Sequence, residues 1–222
     1  MLTGLLIAGI ATDTLNIALT AVEHATLQRY LDGEATAGEA NRAIERSGLV
    51  GIVILVVFVA TAIAWLVWQH RSQANLRAAG VSRLAFTPGW AVGWWFVPVA
   101  SLWKPFQAVR ELHEASTGDL DWSPSRAPAL LGWWWAGWLV LNVLDGIAGV
   151  LFADESGSVE PLLIGDRFSI AGDLVSIATA VLAIRVVGAI VERQRRLPAV
   201  VAARPPVPPR PDLRPLPWGA LP

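Results

Sequence analysis

Four stretches of the chain are almost continuously apolar, at residues 2–22, 49–68, 129–152 and 170–191. Each holds about 20 residues, enough at 1.5 Å per residue to cross a hydrocarbon core of roughly 30 Å as a helix. The alternation of apolar and polar positions that marks a barrel strand is missing. The pattern therefore predicts an all-α polytopic membrane protein with four transmembrane helices, built on a membrane-embedded domain over residues 1–196. No basic segment precedes the first stretch and no small-residue cleavage site follows it, so a retained helix is expected.

A fifth apolar stretch, residues 90–103, is short for a span and is interrupted by Pro98, whose missing N–H breaks a helix. A re-entrant or interfacial segment is expected there. Pro105 suits the first turn of a new helix over residues 105–116, in which Phe106, Val109 and Leu112 share one face and Arg110 pairs with Glu114 on another. Such an amphipathic helix is expected along the membrane surface. Residues 197–222, with the run RPPVPPRPDLRPLP, lack the apolar periodicity of a core and read as a disordered cytoplasmic tail. No solenoid repeat or inverted repeat stands out.

Charge gives these spans a direction. The connection after the first span carries Glu23, Asp32, Glu34, Glu39 and Glu45 against Arg29, Arg42 and Arg46. The connection after the third carries Asp154, Glu155, Glu160 and Asp166 against Arg167 alone. His70, Arg71, Arg77 and Arg83 follow the second span, and Arg193, Arg195, Arg196, Arg204, Arg210 and Arg214 follow the fourth. By the positive-inside rule both termini are expected in the cytoplasm of a bacterial cell, under a multi-pass plasma-membrane protein. A full crossing by residues 90–103 would reverse the rule twice, and stands as the alternative topology. The Trp residues from Trp65 to Trp138 then gather on the inner side, where indole rings favour the headgroup zone.

Composition narrows the chemistry. The chain is 54% hydrophobic and 16% charged, too apolar for an ordinary soluble domain. A net charge of -1 leaves no large basic face for nucleic-acid phosphates. Cysteine is absent, which excludes disulfides, thiolate metal sites and cysteine nucleophiles. All the basic residues except Lys104 are arginine, a bias typical of GC-rich bacterial coding. His24, His70 and His113 are scattered, and no HExxH, phosphate-binding loop or G-x-S-x-G elbow occurs, so no enzyme, metal or cofactor is expected.

The segments WLVWQHRSQANLRAAG, TPGWAVGWWFVPVASLWKPFQAVREL and GWWWAGWLV follow one another in this order. In this block, from about Trp65 to Val140, the chain resembles the actinobacterial membrane family known as domain of unknown function 4328. The resemblance implies a multi-span bacterial membrane protein with no assigned activity. Asn75, Arg77, Trp95, Pro98, Lys104, Pro105 and Arg110 match the family pattern, whereas Ser101 stands where relatives often carry Asn.

Ionisable groups at membrane depth cost at least about 2.5 kcal/mol each, so those present need partners, water or an escape to the interface. Asp13 lies mid-span with Asn16 and Thr20 on its face, Asp145 follows Asn142 by three residues, and Asp173 shares a face with Ser176. Asp145 and Asp173 fall at comparable depth on consecutive helices, so they could share a proton, or they could simply join helices. Arg185 either snorkels to the inner interface or pairs with Asp13. Arg71, Arg77, Arg83, Lys104 and Arg110, interleaved with Trp94, Trp95 and Trp103, fit either anionic lipid headgroups or ordinary anchoring in the bilayer. Pro205, Pro208 and Arg210 have the spacing of a polyproline ligand for a protein partner, or belong to a plain solvated tail. Two functions follow as expectations: a scaffold or interaction module at the cytoplasmic face, or a small transporter, channel or proton-coupled subunit using the intramembrane Asp residues. Oligomeric state is left open.

Overall fold

The computed structural model describes residues 1–117, 128–154 and 158–202. Six α-helices make up the fold: α1 (Leu2–Leu31), α2 (Ala37–Ala78), α3 (Pro88–Gly93), α4 (Lys104–Ala115), α5 (Ala129–Phe152) and α6 (Glu160–Ala202). No strand occurs among the described residues. Four helices, α1, α2, α5 and α6, are long and apolar enough to cross a membrane.

Register pairs fix how these four run. Asn16 and His24 of α1 meet Asp173 and Asp166 of α6, so the two helices are antiparallel. Gly137, Gly172 and Gly165 bring α5 and α6 together in the same antiparallel sense, opposite Thr179, Asp145 and Phe152. A Cβ on Gly172 would stand 2.7 Å from the Asp145 carboxylate, and one on Gly165 2.6 Å from the Phe152 ring. Side-chain-free positions thus set the α5–α6 spacing, which is how helices associate where burial from water offers no driving force. Gln194 of α6 reaches the Ser72 carbonyl of α2, so those two run in parallel. The helices lie in the order α2, α1, α6, α5.

Two helices far exceed the bilayer. With 42 residues, α2 is about 63 Å long, roughly twice the hydrocarbon thickness. The polar connection expected between the first two spans is therefore mostly helix, closed by a short turn at residues 32–36. Thr36 starts α2 with a capping box: its hydroxyl accepts from the Glu39 N–H, and the Glu39 carboxylate accepts from the Thr36 N–H. Gly33 and Gly80, at φ of 75° and 76°, take the left-handed conformation that ends α1 and α2. At the other end of the chain α6 runs through Pro198 to Ala202, into the segment expected to be extended. A proline that close to a helix end removes one hydrogen bond and leaves the preceding turns in place.

Residues 90–103 do not form a fifth span. They fold as the short α3, two single 3₁₀ turns and the bend at Pro98, leaving Phe96, Val99 and Leu102 exposed. Val99 has φ 65°, a conformation β-branched residues rarely take, so this bend stores backbone strain. The helix expected over 105–116 is present as α4, and Val109 and Leu112 are fully buried as its apolar stripe predicts. Its polar face is covered as well, because Glu111, His113 and Glu114 are all buried. It is packed into the helix bundle rather than laid over it.

Candidate functional site

Two polar constellations emerge, one within the spans and one at the end that carries the termini. Within the spans, the Asn16 amide donates to Asp173 across 2.9 Å, and Asp13 hydrogen-bonds to Ser176 one turn further along the same two helices. Asp145 of α5 closes on this pair through its contact at Gly172, so carboxylates from three helices converge at one depth. Asp13 is buried, whereas Asp145 lies on the open side of the α5–α6 seam. The expected proximity of Asp145 and Asp173 is realised, and Asp13 joins them.

Arg185 is not part of this set. Ser176 is the α6 residue opposite Asp13, and nine further residues place Arg185 about 13 Å deeper toward the termini. It is exposed and forms no ion pair among the described residues, an arrangement that suits snorkelling. Asn142 is likewise outside the cluster, its amide donating to the Trp138 carbonyl one turn back on its own helix at 2.7 Å.

Two turns away from Asp173, toward the α1–α2 turn, a second group continues the polar line. His24 Nδ1 lies 3.3 Å from Asp166, its other nitrogen lies 3.2 Å from Gln28, and buried Glu23 stands beside Asp166. In the opposite direction the bundle is dry. Leu2, Leu6, Leu131, Val186, Val187 and Ile190 form a continuous core with Trp65, Trp134 and Trp135.

The tryptophans form a connected cluster. Trp65 stacks on Trp134 at 5.2 Å, Trp135 stacks on Trp138 at 4.7 Å, and Trp95 meets Trp65, Trp135 and Trp138 edge-on. Offset and edge-on pairs of this kind each add about 0.5–1.5 kcal/mol beyond the area they bury. Trp103 and Trp90 remain partly exposed at the rim.

Below this cluster, residues on α2 hold down the irregular segment. Gln69, Gln73 and Arg77 recur every four residues, so all three face the same way. Gln69 donates to the Ala91 carbonyl and accepts from the Trp95 indole at 2.8 Å. Gln73 donates to the Phe86 carbonyl and to Glu111, and Arg77 donates to the Phe86 carbonyl at 2.8 Å. Glu111 in turn accepts from the backbone N–H groups of Ala85 and Phe86 at 2.6 and 3.2 Å. Burial pushes the Glu111 carboxyl above the usual range, although these donors and Arg77 pull the other way. Arg193 of α6 reaches the His113 carbonyl at 2.6 Å, and burial together with Arg193 lowers the His113 pKa.

The residues singled out on this face are thus mostly joined to protein. Arg77 and Trp95 belong to the Gln69–Gln73–Glu111 network, Asn75 meets Gln194, and Arg110 pairs with Glu114 at 3.0 Å. Lys104 lies over the Phe86 and Trp94 rings at 5.9 and 5.6 Å, Pro105 opens α4, and Pro98 shapes the bend. Arg71 and Arg83 are exposed and project from the fold. The pattern of the sequence did not point to Gln69, Gln73, Glu111 or Arg193, although the four-residue spacing of Gln69, Gln73 and Arg77 carries that signal. Pro205, Pro208 and Arg210 lie outside the described residues. No group of His, Asp and Glu suited to a metal ion occurs among the described residues.

No curated protein and no solved structure matches the chain. The sequence model of the family described as domain of unknown function (DUF4328) matches residues 32–192, from the α1–α2 turn through the tryptophan block and most of the way along α6, and the chain belongs to that family.

Proposed function

We propose that the chain is a small proton-coupled membrane protein, a transporter or channel subunit, in which Asp13, Asp145 and Asp173 carry the proton. The observation that supports this reading is the convergence of three carboxylates, with Asn16 and Ser176, at one depth within the spans on three different helices. Carboxylic acids confined together in a low-dielectric site do not all ionise at once, so such a set exchanges protons rather than fixed charge. His24, Asp166 and Glu23 supply a polar approach from the acidic side, and the tryptophan and leucine core closes the other. Charge bias orients this protein with both termini in the cytoplasm of an actinobacterial cell, spanning its plasma membrane.

The test is proton flux in proteoliposomes under an imposed pH gradient. Asp173→Asn retains a carbonyl acceptor for Asn16, so it removes the titrating group and keeps the inter-helix bond. A fall of about a hundredfold or more in flux for Asp13→Asn and Asp173→Asn is expected, in line with what proton-transfer groups contribute. Flux equal to the parent in both variants, or no flux in the parent, would refute the reading.

A second reading, a scaffold at the cytoplasmic face, draws on the rigid Trp–Gln–Glu111 block, on exposed Arg71 and Arg83 as contacts for anionic lipid, and on the Pro-rich tail as a partner ligand. Removal of residues 203–222 with no change in co-purifying proteins would eliminate the tail's part. Neither reading invokes enzymatic chemistry or a cofactor.

A further inference from the structure

The extensions of α1 and α2 beyond the spans enclose a cavity of about 240 Å³ at the end of the fold opposite the termini. Toward the spans its lining is apolar, with Leu19 and Val22 at the end of the first apolar stretch, and its most buried lining residues are Glu23 and Ala43. Its rim is charged, with Arg29, Arg42 and Arg46 facing in from both helices. Arg42 and Arg46 are one helical turn apart on α2, and Ser47 beside them lies two residues before the second apolar stretch. The cavity therefore sits where hydrocarbon gives way to headgroups.

Two acids also line it, and the Glu39 carboxylate acts on Arg29 and Arg42 through its charge. Glu39 accepts from the Thr36 N–H and hydroxyl, each at 2.8 Å, as part of the α2 cap. Glu23 is buried and stands beside Asp166 on α6. Arg42 and Arg46 form no ion pair among the described residues, and Arg29 reaches only the Glu34 carbonyl at 3.4 Å. Guanidinium groups present planar pairs of donors that match phosphate oxygens, and the three on this opening outnumber its two carboxylates. Leu15, Val22, Leu49 and Ile52 flank it as exposed apolar ridges on the membrane side.

From this arrangement we infer that the cavity seats the phosphate of an anionic phospholipid, with its acyl chains along the exposed faces of α1 and α2. The source is lipid rather than free phosphate because the spanward lining and the flanks are apolar and continuous with the spans. This site shares none of Asp13, Asp145 and Asp173 and none of the arginines near the termini, and Glu23 alone links it to the polar approach.

The experiment uses the full chain in neutral-detergent micelles doped with dioleoylphosphatidylglycerol or dioleoylphosphatidylcholine, with bound lipid counted by native mass spectrometry. Arg42→Gln/Arg46→Gln is expected to weaken retention of phosphatidylglycerol by about tenfold or more, since each charge-assisted contact contributes on the kcal/mol scale. Arg195→Gln/Arg196→Gln, exposed at the opposite end, removes the same charge and should retain the lipid. Melting temperature checks that both variants remain folded. Equal retention by the Arg42/Arg46 variant and the parent would overturn the site. Equal retention of the two lipids would overturn the requirement for an anion. Competition by millimolar inorganic phosphate alone, with no lipid preference, would overturn the lipid assignment.

Discussion

Replacing Glu111 by Ala tests whether the buried network on α2 and α4 holds the irregular segment in place. Glu111 is 4% exposed and accepts from three donors: the backbone of Ala85, the backbone of Phe86 and the Gln73 side chain. Truncation leaves those donors without acceptors, at about 1–3 kcal/mol for each one that water cannot reach. Removal of a desolvated carboxyl returns part of that loss, so a net destabilisation of about 3 kcal/mol is expected. For a chain of this size that corresponds to a fall in melting temperature of roughly 6–12 °C. Glu111→Gln should lie between, because its carbonyl keeps one or two of the three bonds while its NH₂ opposes a donor. The assay is thermal unfolding in detergent followed by tryptophan fluorescence, which reads Trp95 through its bond to Gln69. Ala and Gln variants both within about 0.5 kcal/mol of the parent would refute the reasoning, since surface substitutions away from such features stay in that range.

Two further outcomes follow from the same structure. Gly137→Ala places a methyl group against Thr179 Oγ1 and should destabilise the α5–α6 pair by about 1–3 kcal/mol, with Thr179→Ala recovering most of the loss in a double-mutant cycle of melting temperatures. The pH dependence of stability contains two opposed contributions. Glu111 has a raised native pKa, so the folded state holds a proton that the unfolded chain has released. Its contribution is complete below the ordinary glutamate value and is lost as pH rises through the raised one. His113, lowered by burial and by Arg193 despite nearby Glu114, contributes fully above the ordinary histidine value and loses that contribution as pH falls through its native one. Glu111→Gln should therefore make the slope of melting temperature against pH more positive between about pH 5 and 6.5, and an unchanged slope would contradict the assignment.

The spans were legible because hydrocarbon imposes a single rule, an unbroken apolar run of fixed length, which residues 49–68 and 129–152 satisfy. The connections were not, because outside the membrane polarity no longer separates loop from helix. Thr36 and Glu39 carry the spacing of a helix start, yet the acids and arginines that follow read equally well as a loop. Asp145 and Asp173 were recognisable as neighbours because a short connection fixes the register of consecutive antiparallel helices. Of the two readings of Arg185, pairing with Asp13 required a common depth that segment ends alone do not fix, because the helices overrun them. Glu111 was invisible for a different reason: its partners are backbone groups at residues 85 and 86, which no side-chain pattern records.

Between Glu45 and Ile63 no residue of α2 is buried, while Gln69 and Gln73 near its other end are fully enclosed. Such a rod is clamped where Gln69 and Gln73 sit, buried again at Ala40 and Ala43 near its start, and packed along α1 between the two. A tilt of about 5° at the clamp would sweep a point 20 residues away, some 30 Å along the axis, sideways by roughly 2.6 Å. One unbroken helix thus connects the capped turn at one end of the bundle with the glutamine network at the other.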